Sequence, residues 1–340
     1  MLDYLTKAEL IVLGVRTDLE PLRRGGGGPI GGIGFRVRGS TVSAPVKQWY
    51  VRESPYYIED RYLYKLDERI GRVELPKADY YSHEVNGIPA GKIVALDGYD
   101  ALVSAVSRRC IYWKDRRCIF CSIQENLKDA VVEKTAEMIA EVVKIAYEED
   151  RNRHLTLTTG TLNTTDKGAL RLAEVTKRVK EEVDIPVHVQ VEPVDRKYLE
   201  ILYDAGADTI GIHVETFDET IRPRIIPAKP SIDEYLRCWK DCVDIFGEWM
   251  VSSWLLIGLG ESPKSVIEGF NITAEMTVIP FVAPFRPSPS SNLSRPDPNY
   301  VKRIYTEISE SGIDINLKKF SAGCPRCNGC SAIGEIFSSR

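Results

Sequence analysis

Twelve residues, "CIYWKDRRCIFC" from Cys110 to Cys121, hold three of the eight cysteines, with an aromatic residue just before the last. Seven more, "CPRCNGC" from Cys324 to Cys330, hold another three at two-residue gaps. Thiolates are soft donors suited to zinc or to iron–sulfur assembly. Three on one loop cannot complete a structural zinc site, which takes four protein ligands. The histidines, His83, His154, His188 and His213, make no short local pair with the first loop. Three thiolates do suit a four-iron cluster that leaves one iron open to a small chelating molecule. The second triplet reads as an auxiliary iron–sulfur site, with a zinc knuckle short of one ligand or a redox-labile tail as alternatives. Cys238 and Cys242 stand four apart on one face of a predicted helix, a packing arrangement.

With 340 residues, 43% of them hydrophobic, the chain can bury one large α/β core or two ordinary ones. A formal net charge of -4 lacks the positive surplus of a dedicated nucleic-acid binder, so the expected partner is a small molecule or another protein. Neither a basic segment leading into an apolar one at the start nor an apolar run of about 18 to 20 residues is found, and no membrane partner is expected. A cytoplasmic location follows as the expectation. Thiols stay reduced there, which favours metal or redox chemistry over disulfides.

Six β-then-α units must position the first loop. Strand patterns are Ala101 to Arg108, Leu155 to Thr159, Val187 to Val191, Thr209 to Val214, Met250 to Ile257 and Ile279 to Pro284. Helical patterns are Val131 to Glu148, Lys167 to Val183, Arg196 to Ala205, Ile232 to Phe246, Pro263 to Thr277 and Asn299 to Ser311. In the first helix Val132, Ala136, Ile139, Val143 and Ala146 make one apolar stripe. The pattern predicts an α/β fold, a partial (β/α)6 TIM-type barrel, with residues 1–99 as an irregular extension, 100–290 as the barrel and 291–340 as a helix and cysteine-bearing tail. The tail is expected to fold back over the barrel mouth. Sites in such folds lie at the carboxyl ends of the strands, where the loop from Cys110 falls. The run "RRGGGGPIGGIGFRV", Arg23 to Val37, matches no phosphate-binding motif; it reads as a packing segment or as a ligand-contacting loop.

With the loop in that place, "CIYWKDRRCIFC" resembles the cluster loop of the radical S-adenosylmethionine enzymes, although seven residues stand where three are usual between the first two cysteines. "GIHVETFDETIRPRIIPAKPSIDEYLRCW", Gly211 to Trp239, and "SSWLLIGLGESPKSVI", Ser252 to Ile267, resemble segments of biotin synthase and lipoyl synthase. The resemblance implies a 5′-deoxyadenosyl radical that takes hydrogen from an unactivated carbon. It assigns Cys110, Cys118 and Cys121 to the cluster, and Thr158, Thr159 and Gly160 to the methionine amino group. Glu192 and Glu215 would meet ribose or substrate, and Gly258, Gly260 and Glu261 the adenine side. Arg224, with Arg222 and Lys229, would bind a carboxylate. Plainer readings stand beside these: Glu261 at a positive helix end, Glu192 as a solvated strand end, and the basic residues as a solvated cluster.

The triplet Cys324, Cys327 and Cys330 makes the whole pattern look most like the two-protein lipoyl synthases of archaea and some bacteria, each with two 4Fe-4S clusters. That implies a sulfurtransferase thiolating a protein-bound octanoyl-lysyl chain with the tail cluster as sulfur donor. Its partners would be an octanoylated lipoyl domain or H protein, a second lipoyl synthase subunit and a reductant such as ferredoxin. "FSSR", Phe337 to Arg340, resembles the paired serines near the end of ordinary lipoyl synthase, making Ser338 or Ser339 a candidate fourth ligand. The alternative is a biotin-synthase-related radical enzyme on another small molecule, with the tail cluster as electron relay. "VETFDE" and "IGLGES" argue against a non-enzymatic electron carrier, which needs no adenosylmethionine pocket. "PFVAPFRPSPSSN", Pro280 to Asn292, is expected at the mouth, with Arg286 on a polar substrate group.

Overall fold

A computed structural model describes residues 1–21, 31–125, 127, 130–288 and 291–337. Most of the glycine-rich run, over 23–30, lies outside the described residues, as do Ser338 and Ser339.

Helix α1 (Tyr4–Leu13) starts at Asp3, whose carboxylate accepts the Thr6 N–H at 2.8 Å. Strands β1 (Gly32–Val37), β2 (Ser40–Pro45), β3 (Tyr56–Glu59), β4 (Tyr62–Lys65) and β5 (Glu68–Glu74) form an antiparallel sheet ordered β2-β1-β5-β4-β3. Phe35, Val42, Tyr56 and Leu63 of this sheet pack on Leu10 and Ile11 of α1 as a core of their own. A small hairpin, β6 (Glu84–Val85) and β7 (Ile88–Pro89), leads through α2 (Ala90–Ile93) into the second sheet.

That sheet holds β8 (Ala95–Asp97), β9 (Ala101–Ala105), β10 (His154–Thr158), β11 (Val187–Gln190), β12 (Thr209–Gly211), β13 (Val251–Ile257) and β14 (Val278–Pro284). Strands β9 to β14 pair in parallel and in chain order, and the sheet curls into the expected half-barrel. Each crossover carries a helix: α3 (Ala136–Asp150), α4 (Ala169–Glu182), α5 (Arg196–Asp204), then α6 (Arg222–Ile225) with α7 (Ile232–Phe246), and α8 (Pro263–Glu275). Helix α7 opens on a capping box between Ser231 and Glu234, and α8 on Ser262 followed by Pro263. Strand β8, antiparallel to β9, is absent from the sequence reading because three residues are too few to show a period.

Period-two alternation sorts the strand side chains. Leu155, Leu157, Val187, Val189, Ile210 and Ile212 are fully buried in the core shared with the helices. Their neighbours Thr156, Thr158, Gln190 and His213 face a cavity inside the barrel. The interior is therefore polar along one wall.

Helix α9 (Pro298–Glu310) packs against α1, with Lys302 Nζ at 2.9 Å from Glu9. The tail then continues through α10 (Cys324–Cys327) and α11 (Ile333–Phe337). It does not cover the mouth as expected from the sequence. Ala322 O accepts from Thr209 Oγ1 at 3.0 Å, and Gly323 N donates to His154 Nδ1 at 3.1 Å. Thr209 and His154 are the first residues of β12 and β10, so the tail closes the amino-terminal end of the barrel. Gly323, at φ 95°, is pressed so close to His188 that a Cβ would stand 2.5 Å from its ring. Lys7 of α1 fastens this plug: its fully buried ammonium donates to Asn328 O at 2.6 Å and pairs with Glu335 at 2.7 Å.

Candidate metal and cofactor site

The loop that leaves β9 toward Cys110 is held by backbone contacts at the strand ends. Gly160 N donates to Ser107 O at 3.0 Å, Ile111 N to Thr161 O at 2.9 Å, and Ile119 N to Ile225 O at 3.0 Å. Gly160 lies so close beneath the loop that a Cβ there would stand 1.9 Å from Arg109 O. Arg108 anchors the far side, donating through Nε to Ile123 O at 2.7 Å. Cys110, Cys118 and Cys121 are thereby gathered on one wall of the cavity.

Burial pushes the Cys121 thiol up to about 11, and raises Cys118 as well. Burial thus favours the neutral thiols, and a bound cation would favour their ionised form. No three His, Cys, Asp or Glu side chains among the described residues converge closely enough to share a single ion. Thiolates of a four-iron cluster each take a different iron and need no such convergence.

Beside the loop stands a buried charge group. Lys229 Nζ lies 3.3 Å from Glu215 and 3.7 Å from Glu192, Lys167 Nζ lies 3.7 Å from Glu192, and Thr161 donates to Glu192 at 2.9 Å. Glu215 Oε2 is buried without a hydrogen-bond partner, while Glu192 Oε2 makes no hydrogen bond and faces only the Lys167 ammonium. Glu215 holds a left-handed backbone at φ 60°, an uncommon conformation for a non-glycine residue and one met at binding sites. Thr158, Thr159 and Gly160 line the same wall. Two buried carboxylates with unfilled hydrogen-bonding capacity beside two ammonium groups fit a zwitterionic amino-acid moiety such as that of S-adenosylmethionine.

Several expected residues lie elsewhere. Glu261 turns its carboxylate back onto its own turn, accepting from Gly258 N at 2.8 Å, Leu259 N at 2.7 Å and Tyr300 Oη at 2.5 Å. Gly258 and Gly260, both at positive φ, shape that turn, and none of the three lines the cavity. Arg224 is exposed outside it, and Arg222 is buried as a clamp on the carbonyls of Val214, Thr216 and Pro230. Lys229, grouped with them in the sequence reading, is the member that reaches the cavity. Cys238 and Cys242 are buried in the helical core, as their spacing predicts.

The tail cysteines meet the same space from below. Cys324, Cys327 and Cys330 line the cavity that Cys110, Cys118 and Cys121 line, a volume of about 330 Å³. Between the two triplets the walls are Trp254, Leu256, Phe281 and Phe285, with Gln190 donating to Cys324 Sγ at 3.7 Å. Arg286 reaches the cavity as well and donates to Ser43 O at 2.8 Å. Gln190, His213 and Lys167 are cavity residues that motif reasoning missed; the polar alternation in "HLTLT", "VHVQ" and "TIGIH" is the signal that marks this wall.

Residues 115–270 match the model of the Radical SAM superfamily. The chain is similar to methylornithine synthase (PylB), at 18% identity over 74% of this chain and 79% of that one, with a TM-score of 0.48. It is also similar to the FeFe-hydrogenase maturase HydG from Carboxydothermus hydrogenoformans, at 16% identity over 72% of this chain and 64% of that one, with a TM-score of 0.50. A radical SAM methyltransferase from Sphaerobacter thermophilus aligns at 15% identity over 70% and 72%, with a TM-score of 0.48. No curated protein sequence matches the chain. At such identities the likeness is one of fold.

Proposed function

From a radical S-adenosylmethionine domain over residues 115–270, in a radical SAM enzyme, we propose a sulfur insertion into an unactivated C–H bond, on an octanoyl-lysyl chain carried by a lipoyl domain or H protein. The observation that carries this reading is the single cavity faced by both cysteine triplets. Bound at Cys110, Cys118 and Cys121, a 4Fe-4S cluster with S-adenosylmethionine supplies a carbon radical able to remove a hydrogen atom from an unactivated carbon.

The chain's own residues make the rest of the case. Glu192, Glu215, Lys167 and Lys229 hold the charged end of the cofactor at the mouth. Trp254, Leu256, Phe281 and Phe285 exclude water and accept an aliphatic chain along the barrel axis. A second cluster, held by Cys324, Cys327 and Cys330, is a substrate in this reading: the hydrogen leaves with 5′-deoxyadenosine, a sulfide of that cluster bonds to the carbon, and the electron so released passes to the cluster's own iron, exchanging one C–H bond for one C–S bond. A ferredoxin-like reductant supplies the electron, and a second lipoyl synthase subunit thiolates a second carbon of the same chain.

The test is anaerobic reconstitution of the protein and of its Cys324→Ala/Cys327→Ala/Cys330→Ala variant. Iron and sulfide are counted, and both are assayed with S-adenosylmethionine, a strong reductant and an octanoyl-lysyl peptide. Two clusters falling to one, with 5′-deoxyadenosine still released and the thiolated peptide lost, is the expected result. An unchanged iron count sinks the donor role. A tail cluster that survives turnover makes it an electron relay for another substrate.

A further inference from the structure

The turn inside "CPRCNGC" is held by a residue of the amino-terminal extension. Lys7, on α1, is wholly buried, and its ammonium donates to Asn328 O at 2.6 Å and to the two carboxylate oxygens of Glu335 at 2.9 and 2.7 Å. Asn328 stands between Cys327 and Gly329, in a left-handed backbone at φ 53° that ends α10. Its N–H donates to Cys324 O at 2.7 Å, while its side chain donates to Glu335 at 3.0 Å and accepts from Gly334 N at 3.1 Å. The turn that spaces Cys327 from Cys330 is therefore fixed by an ammonium 321 positions away in the chain. A buried ion pair is often no more stabilising than apolar residues of the same volume, so fastening alone does not account for this one. Burial lowers Lys7, and Glu335 first, then Cys327 and Cys330, work against it. Burial, followed by Asp97, raises the Cys327 thiol, so ionising that thiol calls for a cation close by.

We infer that Lys7 is the positioning residue of the tail site: it holds the Asn328 turn at the spacing with which Cys324, Cys327 and Cys330 ligate a cluster, and it supplies positive charge beside their thiolates. Partners that hold a metal site from outside its ligand set are worth about 10- to 100-fold in metal affinity. The extension, which has no cysteine of its own, thereby takes part in the tail site.

The inference rests on the tail-cluster reading above, and its test separates the two. Lys7→Met is made in a Cys110→Ala/Cys118→Ala/Cys121→Ala background, which leaves the tail triplet, and in a Cys324→Ala/Cys327→Ala/Cys330→Ala background, which leaves the upper one. Each protein and its Lys7 parent are reconstituted and followed by iron loss to a chelator and by redox titration of the cluster. At the tail, Lys7→Met should speed iron loss by about tenfold and lower the midpoint potential, since the charge around a cluster sets it. The upper site should keep the rate and potential of its parent. If the unpaired Glu335 stops Lys7→Met from folding, Lys7→Met/Glu335→Gln should fold and show the same acceleration at the tail alone. An unchanged rate or potential at the tail, or equal changes at the two sites, would overturn the assignment and leave Lys7 a fastener of the fold, with the tail cluster standing. A tail background with Lys7 intact that takes up no iron would remove the tail cluster itself, and this inference with it.

Discussion

Lys229 sits at 12% side-chain exposure between two carboxylates. Burial works to lower a lysine, but Glu215 leads the charges that reverse this and hold Lys229 well above its ordinary value. Glu215 is raised by its own burial, and Lys229 relieves it. Lys229→Met should therefore cost about 3–5 kcal/mol by leaving buried charge uncompensated. Adding Glu215→Gln should restore most of that, as measured by denaturant unfolding of the apoprotein. Equal losses in the single and double variants would refute the coupling. The histidines make a second case. Burial holds His154 and His188 near 3, and His213 well below its ordinary 6.5. The unfolded chain binds protons below 6.5 and the folded one does not until far lower, so stability is present above 6.5 and falls as pH drops toward 3. Each histidine should contribute a slope of about 1.4 kcal/mol per pH unit. His188→Gln should remove one such share between about pH 6 and pH 5, which unfolding curves at the two pH values would read. An unchanged slope would mean that His188 protonates inside the fold.

At the scale of elements, the contact of the β10 end with the cluster loop is the tightest determinant of the first site. Gly160→Ala would drive a methyl group into Arg109 O. In the Cys324→Ala/Cys327→Ala/Cys330→Ala background, iron uptake should fall by about tenfold while far-UV circular dichroism stays that of the parent. Full iron loading would show that the loop can move aside. The six parallel strands and their helices were legible because periods of two and 3.6 are local properties of the chain. "HLTLT" also announces a polar inner wall, since its alternate residues meet different surroundings. The path of the tail was not legible. Cysteines at two-residue gaps have no period, and the contacts that direct the tail, Ala322 with Thr209 and Gly323 with His154, join residues more than a hundred positions apart. Glu261 shows the converse: a motif position chosen for a ligand is occupied by its own turn and Tyr300.

For the whole molecule, the tail is a floor on which the barrel and the amino-terminal sheet both rest. Ile333, Ile336 and Phe337 are buried in the main core, and Phe270 stacks on Phe337. Ending the chain after Phe320 should strip several buried side chains worth about 1.5–3 kcal/mol each. It also leaves the Lys7 ammonium without Glu335. The expected outcome is a lower thermal midpoint with strong binding of a hydrophobic dye; a truncated protein that melts normally and stays dark would show that the floor carries no load. The position of that floor in the chain has one more consequence. Residues 321–337 follow every barrel strand, so a ribosome delivers the walls before it delivers the base. Until then the amino-terminal end of the half-barrel has no base, and the wall that carries Cys110, Cys118 and Cys121 is open from below. Once Gly323 seats against His188 the lower entrance is shut, so the space beside Cys110, Cys118 and Cys121 can be reached from below only before the tail has docked.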